Sequence, residues 1–277
     1  MLTRAQRRTL SFGLQTVLGL QKRGFFIPLR TAPAASAWAG RDYSALRAHF
    51  DAHRETFKGF LSKIDALRDD LVVLKGPPPE PRFNQTWCPR LDAAALYSLV
   101  RSQKPAQVIE VGSGHSTRFF ARAVRDGALK TKITAIDPQP RADLKGLPIA
   151  LHQKTLQDCD LGLFQGLRAG DVLFVDSSHV LMPGTDVDLI INHVIPHLPK
   201  GVVVGFHDIF LPAPYPAAWP FTVYNEQNAV APLMRHAHLL FASAFVVGEM
   251  GEALAGSWIG QQPLEEGARE SLLLMEL

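Results

Sequence analysis

The stretch Gln107-Val108-Ile109-Glu110-Val111-Gly112-Ser113-Gly114-His115-Ser116-Thr117 decides the fold. It reads as a short buried strand, a Gly-x-Gly turn and the start of a helix that continues through Arg118-Phe119-Phe120-Ala121-Arg122-Ala123. Glycines let the main chain turn where a Cβ would clash, and let a ligand lie close against the backbone. The helix N-terminus behind them presents free N–H groups and a positive dipole end. A second apolar run, Ile133-Thr134-Ala135-Ile136, ends in Asp137. A carboxylate at the tip of the second strand can accept both hydroxyls of a ribose. The segment therefore reads as the nucleoside-binding half of a doubly wound sheet.

Two details discriminate between nucleosides. In a dinucleotide site a third glycine, three positions on, lets a pyrophosphate sit on the helix end; here that position is Thr117. An acid, Glu110, also stands just inside the strand. A carboxylate there repels pyrophosphate but suits a cofactor with an ammonium or sulfonium group, which favours S-adenosylmethionine over NAD. The expected cofactor-side residues are Glu110, Gly112, Ser113, Gly114, Ser116, Thr117, Asp137 and Asp176.

Glu110-Val111-Gly112-Ser113-Gly114 with Asp137 resembles the nucleotide-binding motifs of class I S-adenosylmethionine-dependent methyltransferases. Phe174-Val175-Asp176-Ser177-Ser178-His179 and Gly205-Phe206-His207-Asp208-Ile209-Phe210-Leu211-Pro212 resemble a bacterial subgroup of that superfamily. That subgroup contains O-methyltransferase-like proteins of secondary-metabolite and surface-polysaccharide clusters. The likeness covers about residues 83–260. It implies a Rossmann-like methyltransferase fold, S-adenosylmethionine as cofactor, and a small molecule or sugar as methyl acceptor.

Composition sets the frame. At 277 residues, 47% hydrophobic and 20% charged, the chain suits one large domain, or one domain with an appendage. A formal charge of +3 is too small to argue for nucleic acid, and the excess is local: Arg4, Arg7, Arg8, Lys22, Arg23 and Arg30 all precede residue 31. Cys88 and Cys159 build neither a disulfide framework nor a zinc site, which fits a reducing, cytoplasmic setting. The apolar run Leu10–Leu20 behind a basic head is too short for an integral membrane segment, which takes about twenty residues, and no clear cleavage site follows it.

Along the chain, Leu46, Phe50, Phe57, Leu61, Ile64, Leu67 and Leu71 recur at helical spacing and predict a long amphipathic helix over 42–74. Gly76-Pro77-Pro78-Pro79 breaks it. The expected division is an N-terminal helical extension, 1–76, through which a homo-oligomer could form, and a cofactor-binding domain, 77–277. Beyond the break, helices and apolar strands alternate, which predicts a mostly parallel α/β sheet. Strands are expected at 108–111, 133–136, 148–152, 171–175 and 202–206, with a final antiparallel pair at 239–247 and 255–260. Ligands in such sheets bind outside the carboxyl ends of the strands. Gly112, Asp137, Asp176, His207 and Asp208 all fall there.

Methyl transfer asks the protein to align an acceptor with the methyl group and to assist its deprotonation. Asp176, His179, His207 and Asp208 follow two adjacent strand ends and are the expected catalytic cluster, with His179 or His207 as base. Related metal-dependent O-methyltransferases place Mg²⁺ ligands at those ends, so the resemblance implies Asp176, His207 and Asp208 as a candidate Mg²⁺ set. The proline-rich loop 211–220, with Tyr215 and Trp219, is an expected acceptor wall. Two other readings stay open on sequence alone: a non-catalytic nucleoside-binding module of the same fold, and an NAD-dependent oxidoreductase.

Overall fold

A computed structural model describes residues 3–25, 27–38, 40–217, 219 and 224–277. The chain clusters into two compact units, divided between Arg41 and Asp42. The first holds α1 (Arg4–Val17) and α2 (Ala32–Trp38). Thr3 caps α1 in a capping box, its hydroxyl accepting from Gln6 N while the Gln6 side chain accepts from Thr3 N.

The second unit is built on seven strands: β1 (Gln107–Val111), β2 (Lys132–Ile136), β3 (Ala150–His152), β4 (Val172–Val175), β5 (Val203–Phe206), β6 (His238–Ala242) and β7 (Leu273–Glu276). Their order across the sheet is β3-β2-β1-β4-β5-β7-β6, with β7 alone antiparallel to its neighbours. β4 and β5 are buried along their whole length, which is why they read as unbroken apolar runs rather than alternating ones. The order reverses between β1 and β4, so a crevice opens at their carboxyl ends.

Helices α6 (Arg90–Gln103) and α7 (His115–Asp126) flank β1 in sequence. The expected helix over 42–74 is instead three, α3 (Ser44–Ala52), α4 (Arg54–Ala66) and α5 (Arg68–Val72), interrupted at His53 and Leu67. Its apolar stripe faces the sheet edge: Phe60 stacks on Phe241 of β6, Phe57 meets the same ring edge-on, and Phe50 packs on Phe245. A further break comes after α8 (Asp186–Leu189), where the chain widens into a π turn, Ile190–Val194, and ends in a tight turn at Ile195–His197. Pro196 lacks the N–H that an α-helix would use there. α9 (Glu226–Met234) completes the crevice wall.

The final strand pair departs from expectation. β6 ends at Ala242 and passes into α10 (Ser243–Glu249), while 255–260 lies at the end of α11 (Gly251–Gly256) and in a turn. The partner of β6 is β7, formed from the last residues of the chain. Its leucines and methionine are mediocre strand formers, and burial between β5 and β6 decides their state.

Candidate functional site

The glycine turn is shaped by contacts on both sides. Gly112 has φ +82°, and a Cβ there would lie 1.8 Å from the carbonyl oxygen of Asp176. Only glycine lets the β1 and β4 ends approach so closely. A Cβ on Gly114 would meet nothing within 4 Å, so open space lies over the second glycine. Asp137 accepts Ser113 N at 2.6 Å, Ser113 Oγ at 3.1 Å and Gln139 N at 2.7 Å. With Gln157 and Asp176 these residues line a cavity of about 350 Å³.

Glu110 is fully buried. Its two oxygens accept from Ser116 Oγ and Thr117 Oγ1, both at 2.5 Å, and Thr117 Oγ1 accepts from Gly114 N at 2.9 Å. Three residues expected on the cofactor side thus form a latch that locks the turn onto α7. Burial pushes the Glu110 carboxyl up to about 8, against the two hydroxyl hydrogen bonds.

A second cavity of about 230 Å³ adjoins the first, lined by Trp87, Arg141, Asp176, His207, Asp208 and Tyr224 among others. Asp176 and Arg141 belong to both. Around this junction all four expected catalytic residues converge. His179 Nε2 lies 3.3 Å from Asp176 Oδ1 and 3.5 Å from Asp208 Oδ2. His207 Nδ1 lies 3.4 Å from Asp208 Oδ1 and 3.9 Å from Asp176 Oδ1.

Each histidine is fixed from behind by a fully buried carboxylate. Glu226 Oε2 meets His179 Nδ1 at 2.8 Å, and Asp92 Oδ2 meets His207 Nε2 at 3.1 Å while also accepting Ser271 N at 2.9 Å. His179 and Asp208 both adopt φ 57°, a left-handed conformation costing about 1–3 kcal/mol for a residue with a side chain. Surrounding bonds enforce it: Asn225 N and Glu226 N donate to the His179 carbonyl, and Ser271 Oγ donates to Asp208 Oδ1 at 3.1 Å. Strain maintained this way concentrates at functional sites.

Electrostatics follow the geometry. Burial disfavours the imidazolium of both histidines, but Asp176 and Glu226 raise His179 well above its usual range, and Asp176 with Asp92 raises His207 to about 9. Burial likewise opposes the Asp176 carboxylate, yet His207 and His179 hold it down at about 2.

Among the described residues, the carboxylate and imidazole donors of Asp176, His179 and Asp208 lie within 4.8 Å of one another. Two carboxylates and one imidazole with gaps near 3 Å suit a small divalent cation. The set expected from sequence has His207 in the place of His179; His207 turns Nε2 to Asp92 and Nδ1 to Asp208 and Asp176, at 3.4 and 3.9 Å.

Asp92, Glu226, Ser271 and Arg141 were not singled out as site residues in the sequence. Arg141 follows the expected site residue Asp137 by four positions and Glu226 follows the 211–220 loop by six, whereas Asp92 and Ser271 lie 179 positions apart and meet through folding alone. Arg90 is structural, its guanidinium bonding Glu270 and the carbonyl of Gly260. In the expected acceptor wall, Tyr215 and Trp219 pack around Phe210, while Ala218 and Pro220 lie outside the described residues.

Residues 109–209 match the model of a methyltransferase domain. No curated protein matches the chain. Among solved structures it is similar to the SAH-bound methyltransferase PaMTH1 of Podospora anserina, at 16% identity, covering 91% of this chain and 98% of that one, with a TM-score of 0.43. The O-methyltransferase of Bacillus cereus in complex with SAH is 11% identical over 79% of this chain and 90% of its own, TM-score 0.38. The MycE methyltransferase of mycinamycin biosynthesis, in complex with Mg and SAH, is 11% identical over 77% and 54%, TM-score 0.39.

Proposed function

From the methyltransferase-domain match over residues 109–209 and the doubly wound sheet, we propose that the chain is a class I methyltransferase that transfers the methyl group of S-adenosylmethionine to a hydroxyl oxygen of a small molecule or sugar. The observation that carries this reading is the junction of the two cavities at Asp176, with His179 and Asp208 beside it. A cofactor seated in the cavity over Gly112, Ser113 and Asp137 would direct its reactive end toward that junction, where an acceptor hydroxyl would be held.

The acceptor oxygen attacks the methyl carbon, the carbon–sulfur bond breaks, and S-adenosylhomocysteine departs with the electron pair. Once the His179 imidazolium, which Asp176 and Glu226 hold to well above the usual range, has released its own proton, the hydroxyl proton passes to His179 Nε2. Glu226 accepts from Nδ1–H and so leaves the Nε2 lone pair facing the acceptor. Asp176 and Asp208 flank Nε2 and stabilise the imidazolium that results. In place of that proton transfer, Asp176, His179 and Asp208 would hold a divalent cation, which would supply Lewis-acid polarisation of the hydroxyl. Pulled between burial and its two hydroxyl donors, Glu110 keeps the glycine turn in place rather than touching the acceptor.

Calorimetric titration with S-adenosylmethionine, S-adenosylhomocysteine and NAD tests the reading. The first two should bind and NAD should not. Asp137→Ala should weaken S-adenosylhomocysteine at least about tenfold, the effect of losing one charge-assisted hydrogen bond. Unchanged affinity in the folded variant, or tighter binding of NAD, overturns the assignment. Turnover that resists chelators assigns the proton to His179; turnover lost to chelators and restored by Mg²⁺ assigns the three donors to a cation.

A further inference from the structure

The segment before Asp42 bears a surface unlike the rest of the chain. Its first forty residues hold six Lys or Arg, namely Arg4, Arg7, Arg8, Lys22, Arg23 and Arg30, and no Asp or Glu. The formal charge of the whole chain is only +3, so the remaining residues are net acidic. The basic charge is therefore concentrated in one compact unit.

Within that unit α1 is two-faced. Leu10, Leu14 and Val17 recur at i, i+4 and i+7 and share one side, while Arg4, Arg8, Ser11 and Gln15 share another. The three apolar residues are 54%, 53% and 58% exposed. After the helix, Arg23 N donates to Thr16 Oγ1 at 3.0 Å, which folds the chain back on α1. Leu18, Leu20, Ile27 and Leu29 are exposed as well. Cations and rings alternate there, with Lys22 Nζ 4.8 Å from the Phe25 ring centre and Arg23 5.5 Å from that of Phe12.

Apolar exposure on this scale marks an interaction surface, and the charge selects the partner. A nucleic-acid backbone would engage the arginines but leave the leucines in water. The boundary of an anionic bilayer offers negative headgroups and an apolar layer together. At about 21 Å, α1 is shorter than the roughly 30 Å hydrocarbon core, so it would lie in the plane of the interface. We infer that residues 3–30 are an interfacial anchor that binds the surface of an anionic lipid bilayer, with Leu10, Leu14 and Val17 directed into the acyl boundary.

Co-sedimentation of the full chain with vesicles tests this. Binding to phosphatidylcholine–phosphatidylglycerol vesicles should exceed binding to phosphatidylcholine alone and fall with added salt. Each arginine near the surface contributes about fivefold, so Arg7→Gln with Arg8→Gln should lower the partition coefficient about twenty-five-fold. Leu14→Ser with Val17→Ser should lower it too, while leaving the salt dependence in place. Lys130→Gln with Lys145→Gln, in the other unit, should change nothing. Wild-type thermal midpoints and S-adenosylhomocysteine affinity in every variant show that the fold is intact. Equal partition into neutral and anionic vesicles, no effect of the arginine pair, or duplex DNA bound more tightly than vesicles and indifferent to the Leu14–Val17 pair would each overturn the inference.

Discussion

Glu226 Oε2 lies 2.8 Å from His179 Nδ1, and the glutamate has no solvent exposure at all. The bond ties the first turn of α9 to the loop after β4 and points the other imidazole nitrogen at Asp176 and Asp208. A buried carboxylate in this position is a positioning group: it selects the tautomer and fixes the ring plane. Glu226→Ala should therefore lower turnover, or affinity for a Mn²⁺ probe, by about 10- to 100-fold, with S-adenosylhomocysteine affinity unchanged. Glu226→Gln, whose amide oxygen can still accept from Nδ1–H, should recover part of the loss. A loss of thermal stability without any change in turnover would assign Glu226 a purely structural role.

The two glycines of the turn should respond oppositely to alanine. Gly112→Ala drives a methyl into the Asp176 carbonyl at a positive φ, so stability should fall by more than about 1 kcal/mol and turnover should collapse as Asp176 moves. Gly114→Ala meets no protein atom. Its melting temperature should stay near wild type while cofactor affinity drops about tenfold or more, as when a hydrogen-bonded approach is lost. Denaturation curves and calorimetry on both variants separate the effects.

Glu110 should leave a signature in the pH dependence of stability. Its carboxyl is raised by burial from 4.5 to about 8, so between those values the folded state keeps a proton that the unfolded state releases. The favourable contribution is complete below about 4.5 and is lost as pH rises through about 8. Without cofactor, wild type should lose stability relative to Glu110→Gln as pH rises across that window. Melting temperatures measured for both proteins over the range check it, and a constant difference would refute it.

Phe57 of α4 is fully buried and packs edge-on against Phe241 and Phe245. Phe57→Ala should cost about 3–5 kcal/mol in chemical denaturation, as a single cooperative transition shared with the sheet. A separate early transition would mean that the helices of 44–72 unfold independently.

The sequence by itself determined the parallel core of the sheet and the rim on which the site sits. Strands such as Val172–Val175 are read from runs of branched apolar residues because burial on both faces admits little else. Gly112, Asp137 and Asp176 announce strand ends because a glycine turn or a carboxylate closing an apolar run marks where a buried strand stops. His179, His207 and Asp208 were legible for the same reason, as polar groups closing apolar strands. Tertiary structure alone decided the partners behind them. Asp92 and Glu226 lie in helical segments whose local pattern is ordinary, and they reach the histidines across 115 and 47 positions. The state of Leu273–Glu276 was settled likewise, by the slot between β5 and β6 and not by its own preference. Local rules govern what a backbone segment can do alone; which nitrogen of His179 faces Asp176 and Asp208 depends on a carboxylate that only the completed fold brings near.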